Sequence, residues 1–130
     1  MIKLTLKGIP PAKKNGKRWV VRGKRRFLVP SEAHDVWHES ATYELIRQIG
    51  PVRQNLPLNV VKMEITYFVT DKKRRDSDNA TSSLLDLFVD MGIIKDDNMV
   101  ELPDIRMKYG GIIRTEARTE IVIETYEPKT

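Results

Sequence analysis

The sequence predicts a single α+β domain, and three observations carry that prediction. Its 130 residues suffice for one domain with a modest core. Apolar and polar side chains alternate over residues 1–7 and, most strongly, over 59–70, which is the period of half-buried strands. Two other segments, opening near Ser31 and near Asn79, space their apolar residues for helices instead. No internal repeat or low-complexity segment interrupts this order.

Taken in order, residues 1–7 form a strand that Gly8, Pro10 and Pro11 end. Residues 12–17 read as a loop with a turn signal at Asn15-Gly16. Residues 18–22 and 26–29 are predicted as a hairpin closed across Gly23-Lys24, its exposed side studded with Arg and Lys. Ser31 suits the N-cap of a helix that runs to Ile49, where Gly50-Pro51 stops it. Either Val36, Tyr43 and Ile46 or Trp37, Ala41 and Leu45 supply its buried side. His34 and His38 share one side of that helix. A zincin helix needs a glutamate directly after its first histidine and none stands here, so both are read as surface residues.

After a polar, proline-containing turn at 52–57, the 59–70 strand sets Val61, Met63, Ile65, Tyr67 and Val69 on one side. A second helix, from about residue 79 to 91, carries Leu84, Leu87, Phe88 and Met91 as its core stripe. Ser82, Ser83, Asp86 and Asp90 take its surface, and Gly92 is its stop. Two last strands, 104–109 and 117–126, are linked through Gly110-Gly111.

Composition narrows the classes. A chain with 40% hydrophobic and 32% charged residues is ordinary for a globular protein in water. No run approaches the ~18 apolar residues of a membrane span, and the alternating, then basic, start carries no signal-peptide pattern. No membrane role is expected, and a cytoplasmic setting fits. With no cysteine, disulfides and thiolate metal sites are excluded, so a metal would sit on oxygen or on the two histidines. The net charge of +5 is unevenly spread: the first 30 residues hold ten Lys or Arg and no acid. A basic stretch is often only a solvated surface, yet such asymmetry in one small domain is the footprint of a nucleic-acid face.

The most informative stretch is Lys72-Lys73-Arg74-Arg75-Asp76-Ser77-Asp78-Asn79, answered by Asp96-Asp97-Asn98. Grouped carboxylates repel one another. A divalent cation removes that repulsion, and Mg²⁺ prefers carboxylate and water oxygens. The cations ahead of them suit a polyanionic substrate. The plain alternative for Asp78 is a helix cap. A 79–91 helix is roughly 18–20 Å long, and an extended 92–97 segment covers about 20 Å. If Gly92 reverses the chain, Asp97 arrives beside Asp76 and Asp78, with Asp96 as a solvated neighbour. Asp76, Asp78 and Asp97 are therefore the expected catalytic and metal-binding carboxylates.

At these residues the chain resembles the RusA-type Holliday junction resolvases of bacteria and their phages. The resemblance covers nearly the whole sequence, from Pro10-Pro11 with Lys14-Asn15 and Ser31-Glu32 onward. Its most specific part is Arg75-Asp76-Ser77-Asp78-Asn79, then Leu85-Asp86, Gly92-Ile93-Ile94 and Asp96-Asp97. It implies a mixed sheet with two main helices packed on it, in a homodimer. It further implies an Mg²⁺-dependent endodeoxyribonuclease, with Mn²⁺ as the alternative ion, that resolves four-way DNA junctions by paired symmetric nicks in recombination and repair. Asp76, Asp78 and Asp97 correspond to its metal-binding carboxylates, while Lys72, Lys73, Arg74 and Arg75 would hold phosphate. The pattern departs at Ser82, where better-known members carry a lysine. Lys95, Lys72, Lys73 or Arg74 are the candidate substitutes, or a metal ion alone.

The expected chemistry is in-line attack by a metal-activated water, leaving 5′-phosphate and 3′-hydroxyl ends. Lys13, Lys14, Asn15, Lys17, Arg18, Arg22, Lys24, Arg25 and Arg26 are the expected further DNA contacts, with an affinity that falls steeply with salt. Trp19 or Phe27 would stack on a base or, more plainly, pack in the sheet. Branched DNA and a second copy of the chain are the expected partners, and no small-molecule cofactor is expected. The competing expectation is a non-catalytic dimeric DNA-binding accessory protein of phage replication or recombination. A third is a metal-dependent phosphoesterase acting on other branched or single-stranded DNA.

Overall fold

Alternation along β4 (Val61–Val69) sets the main sheet: Val61, Met63, Ile65, Tyr67 and Val69 are all buried on one side. The structure, a computed structural model, describes residues 1–12, 17–30, 32–73 and 75–127, with the backbone alone at 17–20, 27–30 and 32. Around β4 stand β1 (Ile2–Lys7), β5 (Asp104–Ile112) and β6 (Arg118–Thr125), in the order β1-β6-β4-β5. β6 runs antiparallel to both β1 and β4, whereas β5 runs parallel to β4, so the sheet is mixed. A parallel neighbour requires a crossover connection, and here that crossover contains α2 (Ser77–Asp90). β2 (Lys17–Arg22) and β3 (Arg25–Pro30) form a separate two-stranded ribbon, as the hairpin signal predicts. Gly23 takes φ +63° at the first turn position, which a two-residue hairpin loop of this kind reserves for glycine.

The core lies between the sheet and the two helices. Leu4 and Leu6 of β1 and Ile121 and Ile123 of β6 join the β4 row against Ala41, Leu45 and Ile49 of α1 (Glu32–Ile49) and Leu84, Leu87 and Phe88 of α2. The opposite face is solvated and carries ion pairs such as Lys62–Glu124 (3.1 Å) and Lys108–Glu64 (3.0 Å). Exposed pairs of this kind contribute about 0–1 kcal/mol each.

Of the two candidate faces on α1, the Trp37, Ala41 and Leu45 side packs inward, leaving Val36 and Tyr43 61% and 62% exposed. His34 corrects the surface reading: it is 7% exposed, because it lies two helical turns before Ala41 on the same buried stripe. α1 also shields the free edge of β1. The Thr5 N–H donates to Gln48 Oε1 (2.8 Å), and Gln48 Nε2 donates back to the Thr5 carbonyl (2.7 Å). These bonds occupy outward-facing backbone groups at the middle of the edge. α1 ends at Ile49, as Gly50-Pro51 predicts, and a short 3₁₀ turn over Gly50–Asn55 follows it directly.

Ser83 is a second correction. It was expected on the surface but is 1% exposed, and its Oγ donates to the Pro11 carbonyl at 2.6 Å. Position 83 lies one turn before Leu87, so it faces inward whatever its polarity, and the bond ties the Pro10-Pro11 loop to α2. A third correction concerns Gly110-Gly111, which does not end β5. The strand continues to Ile112, with Gly111 opposite Phe68 and a register shift between Tyr67 and Phe68. Glycine is needed at 110 because a Cβ there would sit 2.6 Å from the Phe68 ring, which also lies under the Arg118 guanidinium at 4.2 Å. Gly110→Ala is expected to destabilise the fold by about 1–3 kcal/mol through this overlap, read as a lower midpoint in urea unfolding.

Candidate active site

β4 delivers the chain to residues 70–76, and α2 starts immediately after. The cap is Asp76, not Asp78: its Oδ1 accepts the Asp78 N–H (3.0 Å) and its Oδ2 accepts Asn79 Nδ2 (3.2 Å). α2 therefore begins at Ser77, earlier than apolar spacing predicts, since a cap satisfies first-turn donors before any side chain needs burying. Asp78 stands exposed in the first turn, at the partially positive end of the helix.

The cationic run is organised by a residue that sequence reasoning passed over. Asp71 Oδ1 accepts both the Lys73 N–H (2.9 Å) and Arg75 Nη2 (2.9 Å), while Arg75 Nη1 donates to the Lys73 carbonyl (3.0 Å). The Lys73 N–H first, and Arg75 second, hold the Asp71 carboxyl below its ordinary range. The available signal was an aspartate two residues before Lys73, the spacing of a side-chain turn. Arg75 is thereby fixed beside Asp76, with Lys72 and Lys73 exposed next to it.

Gly92 does reverse the chain. At φ +70° its N–H donates to the Val89 carbonyl (3.0 Å), and the Ile93 N–H donates to that of Phe88 (2.9 Å). Ile93 and Ile94 are then buried, and Ile94 bridges Leu58. Beyond them the chain is compact, not extended. The Asp97 N–H donates to Asp96 Oδ1 (2.7 Å), and Asn98 Oδ1 accepts the N–H groups of Val100 and Glu101 (2.9 Å each).

Asp97 lies within this compact loop. Its carboxyl is raised by burial first, then by Asp96 and by the charge of Asp86, whereas Asp96 is lowered chiefly by the Asp97 N–H. The negative charge of Asp86 lies near enough to add to the rise at Asp97. Asp86 was read as a surface residue and is half-buried. Among the described residues, no three His, Asp or Glu side chains converge closely enough to hold a metal ion. Asp76 and Asp78 stand at the start of α2, and Asp97 stands in the loop that follows Gly92.

The donor chemistry still fits Mg²⁺, which is commonly held by one or two carboxylates together with waters and substrate phosphates. Asp76 and Asp78 would hold it from the start of α2. Lys95, the candidate replacement cation, lies 4.0 Å from Glu101, and Ser82 is exposed one turn beyond Asp78. Asp90, on the far flank of α2, meets His38 at 3.7 Å. On the hairpin, Arg22, Lys24, Arg25 and Arg26 are exposed. Lys13, Lys14, Asn15, Ser31 and Arg74 lie outside the described residues, as do the side chains of Lys17, Arg18, Trp19 and Phe27.

Beside Asp76 opens a cavity of about 420 Å³ between the ends of β4 and β5 and the start of α2. Tyr67, Val69, Met107 and Tyr109 line it on the sheet side, with Lys72, Lys73 and Arg75 among its cations. No protein-family model matches the chain, and a search of curated proteins finds no significant match. Among the described residues, no helix is long and apolar enough to cross a membrane.

Like charge at Asp86, Asp96 and Asp97 costs stability whenever all three are ionised. Because the Asp97 carboxyl is raised in the folded state, the folded protein holds its proton to higher pH than the unfolded chain does. The penalty is therefore present at neutral pH and absent once acid protonates the carboxyl in both states. Asp97→Asn is expected to melt higher than the parent at pH 7 in EDTA, and the difference should vanish below about pH 3.

Proposed function

We propose that this chain is a RusA-like, Mg²⁺-dependent endodeoxyribonuclease that acts on four-way DNA junctions as a homodimer. The observation that carries this reading is the start of α2. There Asp76 and Asp78 stand directly behind an ordered Arg75 and the exposed Lys72 and Lys73, beside an open cavity. Carboxylates for a metal and cations for phosphate are the two halves of phosphodiester chemistry, and one short segment presents both.

In this mechanism Arg75, braced by Asp71, and the neighbouring lysines hold the backbone phosphates of the DNA. Asp76 keeps the helix start rigid through its cap bonds and carries negative charge two residues before Asp78. When bound, Mg²⁺ supplies charge neutralisation at phosphate and an acidified water. The hairpin cations Arg22, Lys24, Arg25 and Arg26 add contacts to the duplex arms. A two-fold pair of chains would set two identical sites on two strands of like polarity, as paired symmetric nicks require.

Ser82, where the family pattern carries a lysine, favours a second reading, a non-catalytic junction-binding protein. One assay separates them. A labelled four-way junction incubated with the protein is expected to be nicked in Mg²⁺, at paired positions with 5′-phosphate ends, and left intact in EDTA. Tight junction binding without Mg²⁺-dependent nicking would establish the second reading.

A further inference from the structure

We propose that the cavity beside Asp76 is a pocket for one unstacked nucleobase of branched DNA, with Tyr109 as its stacking platform. This rests on the reading of the chain as a junction-binding protein and adds a specificity-determining residue to it.

The pocket follows from the sheet topology. β5 is the edge strand, and its Met107 and Tyr109 lie beside Ile65 and Tyr67 in parallel register. They therefore share the face on which the helices pack. Ile105, earlier on the strand, packs against the core, but Tyr109 is left 69% exposed. Large aromatic side chains on a core-facing row are ordinarily covered. Here the uncovered one forms a wall of a cavity of about 420 Å³, within the size range of small-ligand pockets.

The lining divides by chemistry. Tyr67, Val69, Met107 and Tyr109 supply apolar and aromatic surface, and Lys73 and Arg75 supply positive charge next to Asp76. A planar apolar ring attached to a phosphate matches both parts, and that is a nucleotide with its base out of the stack. Base stacking on aromatic side chains is the usual device for holding single-stranded nucleotides. A branch point is where a duplex has bases that leave their neighbours at least cost. Seating one base there would fix the phosphate next to it against Arg75 and Asp76, so the pocket would choose which bond is presented.

The test uses the full-length protein and a four-way junction in EDTA, so that affinity is read without strand cleavage. Tyr109→Ala is expected to weaken junction binding roughly five- to a hundred-fold, the range of one lost base stack. Tyr109→Phe should bind as the parent does. A junction carrying a single abasic site at the seated position should lose the same factor with the parent protein and nothing more with Tyr109→Ala. A melting temperature close to the parent's is expected for both variants, since Tyr109 is largely exposed. Equal junction affinity for the parent and Tyr109→Ala, or losses that simply add at every abasic position, overturns the pocket and leaves the junction reading standing. Failure of the parent to prefer a junction over linear duplex overturns both.

Discussion

Asp78→Asn is expected to abolish Mg²⁺-dependent nicking of a four-way junction while leaving junction binding in EDTA within a few-fold of the parent. Asp78 is exposed in the first turn of α2, so the substitution removes a charge without opening the core. Losing one carboxylate from an ion that contributes several kcal/mol to the barrier should slow cleavage about a thousand-fold. The neighbouring position makes a useful contrast. Asparagine is as good an N-cap as aspartate, so Asp76→Asn should also lose cleavage yet keep its melting temperature. Asp76→Ala should lose cleavage and, in addition, about 1 kcal/mol of stability. Single-turnover cleavage rates and thermal unfolding of the three variants measure this directly. An Asp78→Asn protein that cut at the parental rate would rule out the α2 start as the catalytic site.

Phe88→Ala should be the most damaging substitution for the fold. Phe88 is 0% exposed between the sheet and α2, and its carbonyl accepts the Ile93 N–H at the Gly92 reversal. Truncating a buried phenylalanine costs about 3–5 kcal/mol through lost transfer energy and the cavity left behind. A domain of this size has a total stability of roughly 5–15 kcal/mol, so the melting temperature should fall by about 10 °C or more. The same cavity would loosen the packing that sets where the 95–101 loop meets α2. A shift of only two or three degrees would mean that Phe88 is not packed as described.

The elements themselves were legible because their signals are local. β4, the α2 stripe, the hairpin turn at Gly23-Lys24 and the Gly92 stop each follow from spacing or from one residue's backbone freedom. Boundaries were missed where a partner elsewhere decides them. β5 runs through Gly110-Gly111 because β4 pairs with it there. His34 and Ser83 are buried because the helix face, and not side-chain polarity, sets what points inward. Asp71 escaped notice because a lone aspartate becomes informative only when it grips Arg75.

For the candidate site, sequence alone determined which residue types lie together along the chain: the cations from Lys72 to Arg75, the carboxylates at 76 and 78, and the pair at 96 and 97. It marked Gly92 as the helix stop, while the reversal there is a property of the fold. Tertiary structure alone decided where Asp97 lands. The Leu58 N–H bond to the Ile93 carbonyl anchors the returning segment, and the Asp96–Asn98 turn makes it compact. It alone also left Tyr109 uncovered on an edge strand, since coverage depends on where α2 crosses the sheet. Periodicity specifies which face of an element is apolar, but the distance between two faces is set only when the core between them is packed.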